Sequence, residues 1–370
     1  MKDVIDWAKA CWVWITMVFL IALLGGALFS TYAAKLPYVS NQHAAWASFG
    51  SLLAGFFTLT STLATVATLL FLARQNREMQ KVTQAQLSAM TFDRYISHRK
   101  LFLELLEEQE KSLSNNYRFR DPTLLYNAVF PNNSLYNCEL IISPEFDKDG
   151  EGVNLLGRLS VKLEKIKRFL SEPDLGGDRC FDFIHDLIAL RHDLLLIEQE
   201  RPLLEGDVLF KDKVQGFNVF MLDAFVCDSV KLANVICVFT KSPGFDVDTF
   251  YACSPARKEW IVKELYIPRR TAELTAHSNN QFMRDLVWIR SSLAIVGGVD
   301  MAFVNAKHRL DEVLSTIQGV GRIKDKYFLM EVVEACLTDV KSKFDKMSGG
   351  EHFQLIGQIS MRLHHVKIHL

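Results

Sequence analysis

Two long stretches near the start of the chain lack charged residues altogether. The first runs from Trp12 to Ala34 and the second from Ala44 to Ala73. Each is long enough, at roughly 1.5 Å per residue, to cross a hydrocarbon core of roughly 30 Å as a helix. The lack of ionisable groups argues against a proton-coupled transporter, a pump or a voltage sensor. The sequence predicts a transmembrane hairpin over residues 1–73, with spans at about 12–34 and 46–73.

Basic residues are scarce between the two spans, where only Lys35 occurs, and more frequent at their outer ends. The flanking basic residues are Lys2, Lys9, Arg74, Arg77 and Lys81. The positive-inside rule then predicts a multi-pass membrane protein with both termini in the cytoplasm. A cleaved signal sequence ending near Ala34 is the alternative, but the apolar run is too long and its leader contains Asp3 and Asp6.

The chain also lacks the spacings that mark metal sites and common enzymes. Its seven cysteines are far apart and include no C-x-x-C pair, which fits neither a disulfide framework nor a zinc site, so reduced and mostly buried thiols are expected. No P-loop, Gly-rich ATP site or G-x-S-x-G elbow is present. The net charge of -1 gives no global reason to expect nucleic acid as a partner. We therefore predict neither a cofactor nor an enzyme.

Hydroxyl side chains are unusually frequent in the second span. On a helical wheel most of them fall within about 60° of one line, with Thr68 just beyond and Thr60 on the other side. The stripe consists of Ser51, Thr58, Ser61, Thr62, Thr65 and Thr68. Three interpretations stay open: the hydroxyls bond to carbonyls of their own helix, they pack against another helix, or they line water in an assembled state.

The first span carries a matching series of small residues. Ala22, Gly26 and Ser30 recur every four positions, which is the small-x-x-x-small pattern of closely packed membrane helices. Together with the hydroxyl stripe, these residues predict helix packing within one hairpin or between copies of it, and the same residues are the candidates for a pore face.

Glycine and proline are absent from Arg74 to Asp121, and apolar residues recur there at helical spacing. This pattern predicts an amphipathic stalk over residues 74–117, which either continues the second span or restarts after a short break. Residues 118–370 are predicted to form a mainly helical cytoplasmic domain. One of its helical patterns runs from Cys180 to Glu200.

A few polar clusters in this domain are candidates for chemistry. His185-Asp186 and His192-Asp193 are two turns apart, about 10.5 Å along a helix, which is too far for both imidazoles to bind one ion. If the protein were a degradative enzyme of an unfamiliar type, these four side chains would be the only candidate catalytic residues. Packing and ion pairing explain them more simply. His365 and His369 have metal-binding spacing without a zincin motif.

Basic residues form two small groups that could contact phosphate, although such groups are usually just solvated. The candidates are Lys162, Lys165, Arg168, Arg269 and Arg270.

Two short motifs follow the second span: "TFDRYISHRKLFLELLEE" and "LLYNAVFPNNSL". Their order after a two-span hairpin resembles the two-transmembrane effector proteins encoded beside bacterial retrons, and more distantly the membrane abortive-infection proteins of phage defence. The residues that carry the resemblance are Tyr95, His98, Arg99, Phe102, Tyr126, Phe130, Pro131 and Asn132.

The resemblance implies a toxin that is kept silent by a neighbouring reverse transcriptase and its RNA-DNA product. Damage to the bacterial inner membrane after release would stop growth before the phage matures. The resemblance gives the reverse transcriptase and its RNA-DNA hybrid as partners. From the two faces of the hairpin we expect, in addition, the lipid bilayer and further copies of the chain as partners when the protein is active. The alternative is a membrane-anchored adaptor whose spans are inert.

Overall fold

The computed structural model describes residues 2–35, 42–113, 117–172, 179–250, 254–267, 273–300, 303–344 and 352–370. Over these residues the chain is mainly helical, as predicted, with twelve α-helices and five short strands. It divides into an N-terminal unit, Met1–Phe92, and a C-terminal unit, Asp93–Leu370. The division lies inside the predicted stalk, whereas the sequence placed boundaries at its two ends.

Helix α1 spans Lys2–Lys35 and helix α2 spans His43–Ser112. The stalk is therefore a direct continuation of the second span, because α2 has no break between residues 43 and 112. The chain contains no proline in this stretch, and ion pairs one turn apart, such as Arg74 with Glu78 at 3.5 Å, add a little support. The hairpin turn is predicted in the segment KLPYVSNQH, residues 35–43, of which residues 36–41 lie outside the described residues.

The C-terminal unit continues with short strands placed among helices. In chain order its remaining elements are β1 (Tyr117–Phe119), α3 (Pro122–Val129), α4 (Leu155–Ser171), α5 (Arg179–Asp193), β2 (Leu196–Glu198), β3 (Asp207–Phe210), β4 (Lys213–Asn218), α6 (Leu222–Phe239), α7 (Pro255–Tyr266), β5 (Leu274–Ala276), α8 (Met283–Asp300), α9 (Val304–Leu314), α10 (Ile317–Arg322), α11 (Lys326–Phe344) and α12 (Phe353–His369).

Local sequence signals explain where several of these helices begin and end. Asp121 caps α3 by accepting a hydrogen bond from the Leu124 amide at 2.9 Å, and Pro122 occupies the first turn, where its missing N–H costs nothing. The helical pattern predicted up to Glu200 ends earlier, at Asp193. Leu195 has a φ of 52°, which turns the chain out of the helix and into β2.

The strands form two small antiparallel sheets. β1 pairs with β2, and β3 lies between β4 and β5. Before β3, Gly206 has a φ of 88°, and a Cβ there would lie 2.5 Å from the Phe220 ring, so this turn requires glycine. The sheets sit on a core that helices dominate, with Leu159, Leu187 and Leu363 fully buried within it.

Candidate functional site

The two helices of the N-terminal unit are long and apolar enough to cross a membrane. In the most apolar windows of α1 and α2 only 6% of each window is buried. A core helix of a soluble protein would be mostly buried, whereas Phe19, Leu23 and Leu69 on these helices are about 60% exposed. An apolar surface of this extent requires either lipid or a protein partner.

Aromatic side chains join α1 to α2. The Phe29 and Phe56 rings are 6.2 Å apart, and the Tyr32 and Phe49 rings are 5.1 Å apart. Gly25 is buried beneath Phe56, since a Cβ on it would lie 3.1 Å from the ring. The glycine that permits close approach within the hairpin is thus Gly25.

The predicted small-residue series of α1 lies elsewhere on that helix. Ala22, Gly26 and Ser30 are exposed, and a Cβ on Gly26 would meet nothing within 4 Å. These residues therefore do not pack α1 against α2. If these residues pack against anything, their contacts are outside the hairpin, either with another copy of the chain or with lipid.

The hydroxyl stripe of α2 is exposed along its whole length. Its hydroxyls donate to carbonyls of their own helix, as Thr58 does to Ala54 and Thr65 to Ser61, both at 2.9 Å. Ser51, Thr62 and Thr68 make the same bond one turn back. This is the first of the three interpretations that the sequence left open. It explains how hydroxyls are tolerated in lipid, and it leaves the face itself free for another helix.

Thr60, the exception on the helical wheel, has a separate environment. It is part-buried, in the same set of half-buried positions as Phe49, Phe56 and Leu63, and its hydroxyl bonds to the Phe56 and Phe57 carbonyls. Thr60 is therefore on the side of α2 that faces α1. The stripe occupies the opposite, outward side.

The outward face continues beyond the span into the stalk. With Ser51 at heptad position a, every a and d position as far as residue 89 is uncharged and exposed. These positions are Ser51, Ala54, Thr58, Ser61, Thr65, Thr68, Leu72, Gln75, Met79, Val82, Gln86 and Ala89. The charged residues of this stretch, Arg74, Arg77, Glu78 and Lys81, fall at c, f, g and c. A seam with this 3.5-residue period suits a parallel partner helix, and sequence reasoning missed it although the heptad was readable.

Most of the residues that carried the family resemblance meet inside the C-terminal unit, where the last turns of α2 contact α3 and the residues after it. His98 Nδ1 is 3.0 Å from the Tyr126 hydroxyl, and the His98 ring lies 4.7 Å from the Phe130 ring. Phe102 is fully buried among Tyr126 and Phe130, and Tyr95 stacks edge-on against Tyr126. We call this group, with Phe239 of α6, the anchor cluster.

Polar contacts complete the anchor cluster. The Arg99 guanidinium donates to the Thr123 hydroxyl at 3.3 Å. Asn133, which sequence reasoning overlooked, donates to the Tyr126 hydroxyl at 3.1 Å and fixes the next loop through the Glu139 backbone. Pro131 and Asn132 are exposed beside it and shape the loop rather than join the cluster.

Burial perturbs the titratable groups of the anchor cluster. It lowers the pKa of His98, and the nearby Arg94 charge lowers it further. Burial also raises the pKa of the Tyr126 hydroxyl. Both side chains are therefore held neutral at pH 7, as a contact between aromatic rings requires.

The basic patch predicted on α4 is partly neutralised by carboxylates. Lys162 pairs with Asp193 of α5, and Lys165 lies 3.5 Å from Glu151. Arg168 is exposed, while Arg269 and Arg270 lie outside the described residues. These pairs weaken the case for a phosphate-contacting patch on α4.

The His-Asp pairs are built into packing contacts. Asp193 is held by Arg158 at 3.2 Å as well as by Lys162, and the His185 ring stacks edge-on against Phe210. The His365 and His369 rings are 4.5 Å apart. Among the described residues no group of three or more His, Cys, Asp or Glu side chains could hold a metal ion.

Four of the five cysteines whose side chains the structure describes are buried. Burial raises the pKa of Cys180 and Cys336 to about 12, so neither thiol is a nucleophile at neutral pH.

Comparisons with known proteins give no relative for this arrangement. The chain matches no protein-family model, no curated protein and no solved structure.

Proposed function

We propose that this protein is a non-enzymatic membrane effector of a retron anti-phage system, and that its hairpin perturbs the bacterial inner membrane to cause abortive infection. In the resting state a reverse transcriptase and its RNA-DNA product restrain the C-terminal unit. On release, copies of the hairpin associate and breach the bilayer. The observation that carries the proposal is the uncharged, exposed seam of α2 from residue 51 to residue 89.

Self-association along this seam is favoured both in the lipid bilayer and in the water beyond it, for different reasons. Within the bilayer, small and hydroxyl residues such as Ala54 and Thr58 let helix backbones approach closely. Beyond the bilayer, Met79 and Val82 are about 60% exposed, and a partner helix would remove them from water. A second copy that crosses the same membrane in the same direction matches both parts of the seam in register.

The anchor cluster supports the restraint half of the proposal. Tyr95, His98, Phe102, Tyr126 and Phe130, which are far apart in sequence, form one contact group in the fold. A partner bound to the C-terminal unit could act on α2 through this group. The basic residues outside the spans favour cytoplasmic termini, where such a partner is synthesised.

Replacing Thr58, Thr62 and Thr65 together with leucine tests the seam, because Thr58 and Thr65 lie in it and Thr62 borders it at position e. Leucine inserts well into lipid but keeps helix backbones apart, so we expect normal membrane insertion and loss of toxicity in cells that lack the genomic neighbours. Membrane potential, measured with a voltage-sensitive dye, should fall for the wild type and not for this variant. The matched control replaces the same three residues with serine, which keeps the side chains small and hydroxylated, and should remain toxic.

Three outcomes would contradict the proposal. Full toxicity of the leucine variant would exclude the seam. Retention of function after both spans are exchanged for an unrelated hairpin would favour the adaptor, whose spans are inert. Depolarisation that is independent of the neighbouring reverse transcriptase would exclude the restraint.

A further inference from the structure

A cavity of about 410 Å³ opens between α9, α10 and α11 in the C-terminal unit. Its floor is apolar, because Val313 and Val332 are almost fully buried. One edge is formed where α10 begins against the end of α9. A Cβ on Gly319 would lie 2.5 Å from the Val313 carbonyl oxygen, so only glycine permits this close approach.

The wall of the cavity carries a cation over an aromatic ring, which we call the platform. The central guanidinium carbon of Arg322 lies 3.8 Å from the centroid of the Phe328 ring. This cation–π contact keeps the guanidinium beside the ring, and its N–H groups can bind an anion. Within the described part of the chain, no carboxylate forms an ion pair with Arg322.

Groups of opposite charge complete the lining. Arg309 contributes a second guanidinium, whose 3.5 Å contact with Glu312 is solvent-exposed and therefore weak. Glu331 also lines the cavity and, within the described ranges, pairs with no cation. The cavity thus offers an apolar floor, a stacking platform, two cations and a free hydrogen-bond acceptor.

We propose that this cavity binds a purine nucleotide. A planar base stacks on the platform formed by Arg322 and Phe328, as bases do on guanidinium planes and aromatic rings. The phosphate is bound by Arg309, and the carboxylate of Glu331 accepts N–H groups from the edge of the base. Guanine, which presents two adjacent N–H donors, suits a carboxylate better than adenine does. The volume is near the lower end of the roughly 300–1,000 Å³ typical of ligand pockets and so fits a mononucleotide.

This inference goes beyond the proposed effector function and does not depend on it. The experiment is isothermal titration calorimetry of the full chain in lipid nanodiscs with GMP as the probe. AMP and inorganic phosphate are titrated in parallel. We expect saturable GMP binding with one site per chain, weaker binding of AMP, and no competition by inorganic phosphate at equal concentration.

Variants test each part of the cavity. Phe328→Leu keeps the apolar volume but removes the ring, and Arg322→Lys keeps the charge but removes the flat plane. Each should weaken GMP binding by about tenfold, the order expected for loss of one stacking contact. Glu331→Gln should narrow the difference between GMP and AMP. Arg284→Gln, which changes an exposed arginine on α8, is the control and should bind GMP as the wild type does.

The proposal is overturned if the wild type shows no saturable GMP binding. It is also overturned if Phe328→Leu and Arg322→Lys both bind with wild-type affinity, or if inorganic phosphate displaces GMP at equal concentration. Near-ultraviolet circular dichroism of each variant separates a lost site from a lost fold. Because Arg322 and Phe328 are partly exposed, we expect these spectra to match the wild type.

Discussion

The N-terminal and C-terminal units use similar apolar residues in opposite ways. In the N-terminal unit phenylalanines such as Phe19 and Phe57 are about 60% exposed, whereas Phe102 and Phe130 of the C-terminal unit are almost fully buried. The C-terminal unit gains stability in water by burying its rings against each other. The apolar surface of the N-terminal unit requires either lipid or a protein partner, because the chain itself covers little of that surface.

The hydrogen bonds of polar side chains also differ between the two units. The hydroxyls of α2 bond to their own helix, so they do not specify a neighbour. In the C-terminal unit buried polar groups bond across elements: Asp207 accepts from Arg201 and Asn218, and Glu205 accepts from Tyr266. The hydrogen bonds of the α2 hydroxyls therefore select no particular neighbouring helix, whereas those of the C-terminal unit hold its elements in one arrangement.

The largest expected effect is on the packing of aromatic rings. Phe102→Ala leaves a cavity among Tyr126, Phe130 and Phe239, and should lower the free energy of unfolding of the C-terminal unit by about 3–5 kcal/mol. Phe57→Ala, on an exposed position of α2, should cost less than about 1 kcal/mol. Chemical unfolding of the full chain in detergent micelles, followed by near-ultraviolet circular dichroism, measures both. Equal losses in the two variants would remove the distinction between the units.

An introduced charge compares two parts of the N-terminal unit, the first span and the stalk, by its effect on membrane insertion. Leu20→Arg places a charge in the middle of the first span and should cost about 2.5–3.5 kcal/mol of membrane insertion. Leu87→Arg changes a leucine that is also exposed but lies in the stalk, where water solvates the charge, so its cost should be below about 0.5 kcal/mol. The share of protein that resists carbonate washing of membranes is the measurement. If Leu87→Arg impaired insertion as much as Leu20→Arg, the membrane boundary would lie further along α2.

Loss of a single hydroxyl should lower stability by a smaller amount, and by more in the C-terminal unit than in α2. Tyr266→Phe removes a buried hydrogen bond of 2.7 Å to the Glu205 carboxylate and should destabilise the C-terminal unit by about 1.5–3 kcal/mol. Thr58→Val removes a hydroxyl that bonds only to its own helix, so a loss of about 0.6 kcal/mol or less is expected. Unfolding in micelles compares the two. A larger loss for Thr58→Val would show that its hydroxyl bonds to something other than the Ala54 carbonyl.

The sequence was informative where one physical rule dominates. Absence of charge over a membrane-length run predicted the two apolar helices, and absence of glycine and proline predicted the helical stalk. The wheel correctly separated Thr60 from the other hydroxyls, since the burial of Thr60 depends only on which side of α2 faces α1.

The sequence was less informative where contacts join distant segments. Gly25, rather than Gly26, meets α2, and the two differ only in the direction from which Phe56 approaches. Asn133 is one residue beyond the motif position Asn132, yet only Asn133 bonds to Tyr126. The Arg322 and Phe328 platform depends on how α10 packs on α11, which local spacing does not specify.

The smallest expected effect is the pH dependence of the anchor cluster. Burial and Arg94 lower the pKa of His98 in the folded protein below its value of about 6.5 in the unfolded chain. Below about pH 6.5 the unfolded state therefore binds more protons, so stability is complete above this pH and falls as the pH decreases toward the folded pKa.

The unfolding temperature of the full chain in micelles should drop between pH 7.5 and pH 5.5. In His98→Gln, which keeps a polar partner for the Tyr126 hydroxyl, this drop in unfolding temperature should be smaller by a few degrees. The control is His365→Gln, which replaces an exposed histidine and should show the same drop as the wild type. Parallel pH profiles for the wild type and His98→Gln would show that His98 does not couple the anchor cluster to pH.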